Sequence, residues 1–176
     1  GPGPTPTLLR RVSLVEAATR AETLHEEGDE RSLATLRTQW DEEIEHAARD
    51  SDYRIRAQGY RAIGQFRFRQ KLELLRRGLE DESPAARGAA LIALESLSRD
   101  HPGDVNAFRP LLNELAARDP NTAVQRLAIF CLRNGTPSRD TIQILDGIAE
   151  SDEADPDVRR AARAVSAQLV KKSRAR

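Results

Sequence analysis

The chain of 176 residues has no methionine, one cysteine and few rings: one Trp, two Tyr and four Phe. A single thiol, Cys131, excludes an internal disulfide, so stability must come from packing, and a reducing, cytoplasmic setting is expected. With so few aromatic side chains, platforms for stacking bases are sparse. Net charge is also missing, since 28 Lys and Arg balance 28 Asp and Glu. No overall field therefore draws the protein to nucleic acid or to an anionic membrane. No apolar run approaches bilayer-spanning length, and no signal-peptide pattern is present, so no membrane partner is expected. The opening GPGPTP reads as a cloning scar with a flexible leader, and residues 1–7 are expected to be disordered.

What the chain does contain is a helical rhythm that repeats. Residues 72–97 read as a short helix, an acidic turn closed by Ser83-Pro84, and an alanine-rich second helix. Leu72, Leu75 and Leu79 form the stripe of the first helix; Ala86, Ala90, Ala93, Leu94 and Leu97 form that of the second. Three other segments align with this second helix without gaps, beginning at Asp52, Asn121 and Asp155. Their apolar anchors are Ile55, Ala86, Val124 and Val158, spaced by 31, 38 and 34 residues. Arg56, Arg87, Gln125 and Arg159 follow the anchors, and a tiny residue comes three places later at Gly59, Ala90, Ala128 and Ala162. Each second helix is preceded by a weaker apolar helix, carried by Trp40/Ile44/Ala47, Leu72/Leu75/Leu79, Phe108/Leu111/Leu115 and Ile142/Leu145/Ile148. Recurring hairpins too small to bury a core alone predict an α-solenoid.

The acidic or proline turn, the apolar-arginine pair and the alanine-rich helix resemble bacterial HEAT-like repeats over about residues 40–170. The expected fold is all-α, a right-handed solenoid of about four HEAT-like hairpins with an N-terminal capping helix. The cap covers residues 8–29, with Leu14, Ala18 and Ala21 on one face. The repeats cover about 30–68, 70–99, 104–135 and 140–170, with a loop at 98–104, and a frayed basic tail occupies 171–176. HEAT-like proteins serve many ends, so the resemblance says little about activity. It implies a protein-binding scaffold most directly. It also raises DNA-repair glycosylases, which combine a basic channel with aromatics, and enzymes that attach bilins to proteins. Nothing in the residues singles out the last.

Charge is distributed in blocks. Six acidic residues and one arginine lie between Asp41 and Asp52; eight basic residues and one glutamate lie between Arg54 and Arg77. Complementary packing of neighbouring helices is the expected use. The rival reading is a basic strip on residues 54–77 that binds nucleic acid. Arg56, Arg87 and Arg159 are expected to form a structural ladder, reaching acidic turn residues such as Asp52, Asp81 or Asp155. Glu22/His25 and Glu43/His46 have the Glu-x-x-His spacing of di-iron bundles, but at 100° per residue His46 lies about 120° from its apolar stripe. No metal site and no cofactor are expected. No nucleophile elbow or phosphate loop is present, and Cys131 has no neighbouring histidine, so a non-enzymatic role is expected.

On the second helices, the positions one before, three after and six after each anchor should line the inner surface. They place Arg54, Arg61, Gln65, Ile92, Arg99, Leu127 and Phe130 along a groove, with Phe68 extending the row. Its apolar middle and charged ends resemble a protein interface, so these are the candidate partner-binding residues. The partner would be a helix or an extended segment. The opposing expectation is that the third repeat's second helix is buried on all sides.

Overall fold

In a computed structural model of the chain, residues 12–175 are described. The leader expected at 1–7, the start of the cap at 8–11, and Arg176 lie outside them. Nine α-helices and no strand occur among the described residues: α1 (Leu14–Glu26), α2 (Glu30–Ala48), α3 (Tyr53–Gln65), α4 (Leu72–Leu79), α5 (Pro84–Asp100), α6 (Gly103–Arg118), α7 (Thr122–Leu132), α8 (Arg139–Glu150) and α9 (Pro156–Arg174). Short polar side chains start most of them by accepting an otherwise unpaired backbone N–H. Ser13, Asp29, Asp52, Ser83, Asn121 and Asp155 all do so. Ser13 is extended, and α1 starts at Leu14.

The helices form two rows. Helices α1, α3, α5, α7 and α9 pack successively on one another as an inner row, and α2, α4, α6 and α8 each pack against the inner helix that follows. This is an all-α solenoid, with its core spread along the stack: Leu33, Ile44, Ile63, Leu75, Leu94, Leu112, Ile129 and Leu169 are all sealed. The repeated tiny residue sets the spacing between rows. A Cβ on Gly59 would lie 2.6 Å from the backbone nitrogen of Ala48 in α2, so only glycine fits there. Ala90, Ala128 and Ala162 occupy the same place in later layers and are fully buried.

An arginine ladder ties the layers. The Arg56 guanidinium forks onto Asp81 at 2.8 and 2.9 Å and donates to the Asp50 and Ser51 carbonyls. Arg87 repeats the arrangement one layer on, bonding Asp119 at 2.8 and 3.0 Å and the Asp81 carbonyl. Asp81 and Asp119 also accept from the amides of Ser83 and Asn121, two residues ahead, which orients each carboxylate. The ladder then stops. Gln125 reaches only the Ala117 carbonyl, and Arg159 lies 3.8 Å from Asp152, a fully exposed partner in its own turn rather than Asp155.

Burial pushes the Asp81 carboxyl up, but the Arg56 guanidinium and the Ser83 amide outweigh it and hold it below its ordinary value. A carboxyl depressed in the folded state stabilises above its unfolded pKa, near 4, and that contribution fades as pH falls through the lower folded value. Between pH 6 and pH 3 the wild type should therefore lose more stability in urea than Asp81→Asn. Equal losses would show that Asp81 does not contribute to acid sensitivity.

Four expectations are revised. Ile55 is 38% exposed, unlike the buried anchors Ala86, Val124 and Val158, because nothing among the described residues covers the first turn of α3. Phe68 is buried, since α3 ends at Gln65 and the chain turns inward there. The loop expected at 98–104 is mostly helix: α5 runs to Asp100 and α6 begins at Gly103. The tail is not frayed where described. Lys171, Lys172 and Arg174 extend α9, and Lys172 Nζ donates to the Arg133 and Gly135 carbonyls at the end of α7.

Candidate docking groove

Across α1, α3, α5 and α7 runs an open groove enclosing about 690 Å³. Its floor is made of small side chains, Ala57, Ala85, Gly88, Ala89 and Ala123, so a partner's backbone can come close. Val15, Ile92 and Leu127 supply the larger apolar surface. Ile92 and Val15 are exposed and Leu127 is half-buried, so the centre of the stack is not closed over. Arg61, Gln58 and Gln65 stand on the α3 wall. Arg61 is exposed and has no ion pair among the described residues, while Gln65 donates to Glu22 of α1 at 3.4 Å.

Of the residues expected to bind a partner, Arg61, Gln65, Ile92 and Leu127 line this groove. Phe130 and Arg99 do not. They lie further along α7 and α5, around Glu95, which accepts from Arg99 at 2.6 Å and from Asn134 at 3.3 Å and pairs with Arg133 at 3.5 Å. Burial pushes the Glu95 carboxyl up, yet these donors hold it below its ordinary range, so Glu95 ties α5 to the end of α7 through the Arg133 guanidinium and the Asn134 amide. The Arg133 guanidinium covers the Phe130 ring at 5.7 Å. Arg54 is also outside the groove; it pairs with Asp52 at the start of its own helix.

Sequence reasoning missed the contribution of α1, whose Val15 and Ala18 form the end wall. Val15 lies off the buried stripe of Leu14, Ala18 and Ala21, and such an off-stripe valine was the available signal. It also missed Ala57 and Gly88, two places after their anchors.

The acidic and basic blocks meet across neighbouring helices at Lys71, and most other cations of the basic block pair elsewhere. Lys71 is buried, bonded to Asp41 at 2.6 Å and Glu45 at 2.9 Å from α2, with the Phe68 ring 4.7 Å away. Arg69 forks onto Asp104, Arg76 pairs with Glu73 and covers the Phe108 ring, and Arg67 donates to the Gly64 carbonyl. Between 54 and 77 that leaves Arg61 and Arg77 without a described acceptor, too few cations for a phosphate track. Cys131 is sealed, and burial pushes its thiol far above the usual range. His46 is exposed, His25 lies 3.5 Å from Asp100, and no group of three or more potential metal ligands occurs among the described residues. No described helix is long and apolar enough to cross a membrane.

A search of curated proteins finds no match to the chain. Residues 42–114, from the middle of α2 into the last turns of α6, match the family model described as HEAT repeats, and the two rows of helices form an all-α solenoid.

Proposed function

We propose that the protein is a non-enzymatic adaptor that holds an amphipathic helix of a partner protein in the groove across α1, α3, α5 and α7. HEAT repeats commonly serve as protein-interaction scaffolds, which supports the coarse reading. The observation that carries the finer one is the groove itself. Its small-residue floor admits a helix closely, its apolar centre of Val15, Ile92 and Leu127 is left open, and Arg61 on the rim has no described counter-charge. The partner helix would present an apolar stripe to Ile92 and Leu127 and an acidic side chain to Arg61.

The test is selection of helical peptides against the purified protein, followed by affinity measurement on variants. Leu127→Asp and Ile92→Asp should each weaken the selected peptides at least about tenfold, the order of one lost apolar anchor in a desolvated pocket, with helicity by circular dichroism unchanged. Arg61→Glu should weaken acidic peptides and flatten their salt dependence. Peptides that bind all three variants as they bind the wild type would refute the groove as the docking surface.

A further inference from the structure

At the end of α1 the chain leaves the helix through Gly28, at φ 74, with the Asp29 amide bonded to the Leu24 carbonyl. The end of α3 uses the same closing pattern: the Phe68 amide bonds to the Ile63 carbonyl and the Arg67 amide to the Gly64 carbonyl. Here the left-handed place is held by Arg67, at φ 51, the one non-glycine residue with positive φ among those described. Glycine would sit there without strain, so the arginine carries a backbone cost that its side chain must justify.

The side chain lines a cavity of about 300 Å³ between α1, α2, the α3–α4 turn and the end of α5. One terminal nitrogen donates to the Gly64 carbonyl, while Nε is buried with no partner. Burial opposes its charge; Glu22, Asp100 and Glu26 support that charge from beyond ion-pair distance, and Arg99 counters them. The other guanidinium groups of the cavity are already paired, Arg37 with Glu30 and Arg69 with Asp104, and the His25 ring lies 3.5 Å from Asp100. His101 adds a further imidazole on the rim. Arg67 thus carries a guanidinium with no described carboxylate in ion-pair reach, beside a cavity whose lining joins Arg37, Arg69, His25 and His101 to the carboxylates of Glu30 and Asp100.

We propose that this cavity is a binding site for a phosphate group, taken from inorganic phosphate or a small phosphate monoester, with Arg67 as its principal donor. A tetrahedral oxyanion can accept from several directions at once, and guanidinium forks match phosphate oxygens better than any other side chain does. The cavity lies apart from the docking groove, with no lining residue in common.

The experiment titrates inorganic phosphate and, separately, phenyl phosphate into the protein, with chloride at matched ionic strength as reference. Unfolding temperature and amide NMR shifts are the readouts. Phosphate should raise the unfolding temperature beyond the chloride reference and move the amides of Gly64, Arg67 and His101. Arg67→Gly should remove this effect, with binding at least tenfold weaker, while its unfolding temperature without phosphate equals or exceeds that of the wild type. Tighter binding of phenyl phosphate would assign a monoester, and equal binding would assign the free ion. A phosphate effect no larger than that of chloride, or one that persists in Arg67→Gly, would overturn the proposal. If the glycine variant unfolds, Arg67→Asn, which also tolerates the left-handed backbone, serves in its place. Instability of both would limit Arg67 to closing α3 and overturn the proposal equally.

Discussion

Asp119→Ala is expected to lower stability by about 3 kcal/mol, near the lower end for breaking one side of a buried ion pair. The Asp119 side chain is 3% exposed and the Arg87 side chain 12% exposed, so water cannot replace the lost carboxylate well. The substitution strands a guanidinium that now makes two bonds to Asp119, and it releases the Asn121 amide that caps the turn into α7. For a domain of this size the loss corresponds to a fall of roughly 6–12 °C in unfolding temperature. Arg159→Ala is the internal control. Its partner Asp152 is fully exposed at 3.8 Å, so the expected change is within about 0.5 kcal/mol. Urea unfolding of both variants decides the matter. If Asp119→Ala costs no more than Arg159→Ala, the ladder does not tie the layers together.

Gly64→Ala is the second large effect, and its sign is the informative part. Inside a helix, alanine is favoured over glycine by nearly 1 kcal/mol. At Gly64 the added Cβ would stand 2.6 Å from the Ala93 Cα and 2.9 Å from its Cβ. The obstacle is backbone, so no rotamer change can clear it; α3 and α5 would have to separate and give up contact along their length. A net loss of about 2 kcal/mol is expected. Because α3 and α5 form adjoining parts of the groove, affinity for a groove-binding peptide should fall with it. Gly147→Ala in α8 gives the opposite case. Nothing lies within 4 Å of its Cβ position, and a gain of about 0.5–1 kcal/mol is expected. Stabilisation by both substitutions would mean that the α3–α5 approach is looser than described.

Much of the groove was legible because inner-row helices repeat one register. An offset counted from Ala86 found Ala85, Ala89 and Ile92, and the same offset from Val124 found Ala123 and Leu127. The rule failed at helix ends. Phe68 lies beyond the last turn of α3, where helical phase no longer applies and the chain turns inward. Arg99 and Phe130 have the correct phase, but Arg99 pairs with Glu95 four places back on its own helix, and only the stacking of α5 on α7 adds Arg133 to that cluster. The ladder divided in the same way. The arginine positions were readable, whereas their acceptors depend on which turn lies next in the stack, so Asp119 was found only in three dimensions.

The sequence alone determined the helices, their caps, their pairing into hairpins and the tiny residues at the crossings. These follow from local rules: a 3.6-residue period, Ser, Asp or Asn before a helix, and glycine or alanine where two axes must meet. Only the tertiary structure decided that α1 joins the inner row and closes one end of the groove, that five of the eight basic residues between 54 and 77 are taken up in ion pairs, and that Arg67 holds a place suited to glycine. Each of these depends on which side chains from distant segments share the same space, and a charge or a strained backbone acquires its meaning from those neighbours rather than from its position in the chain.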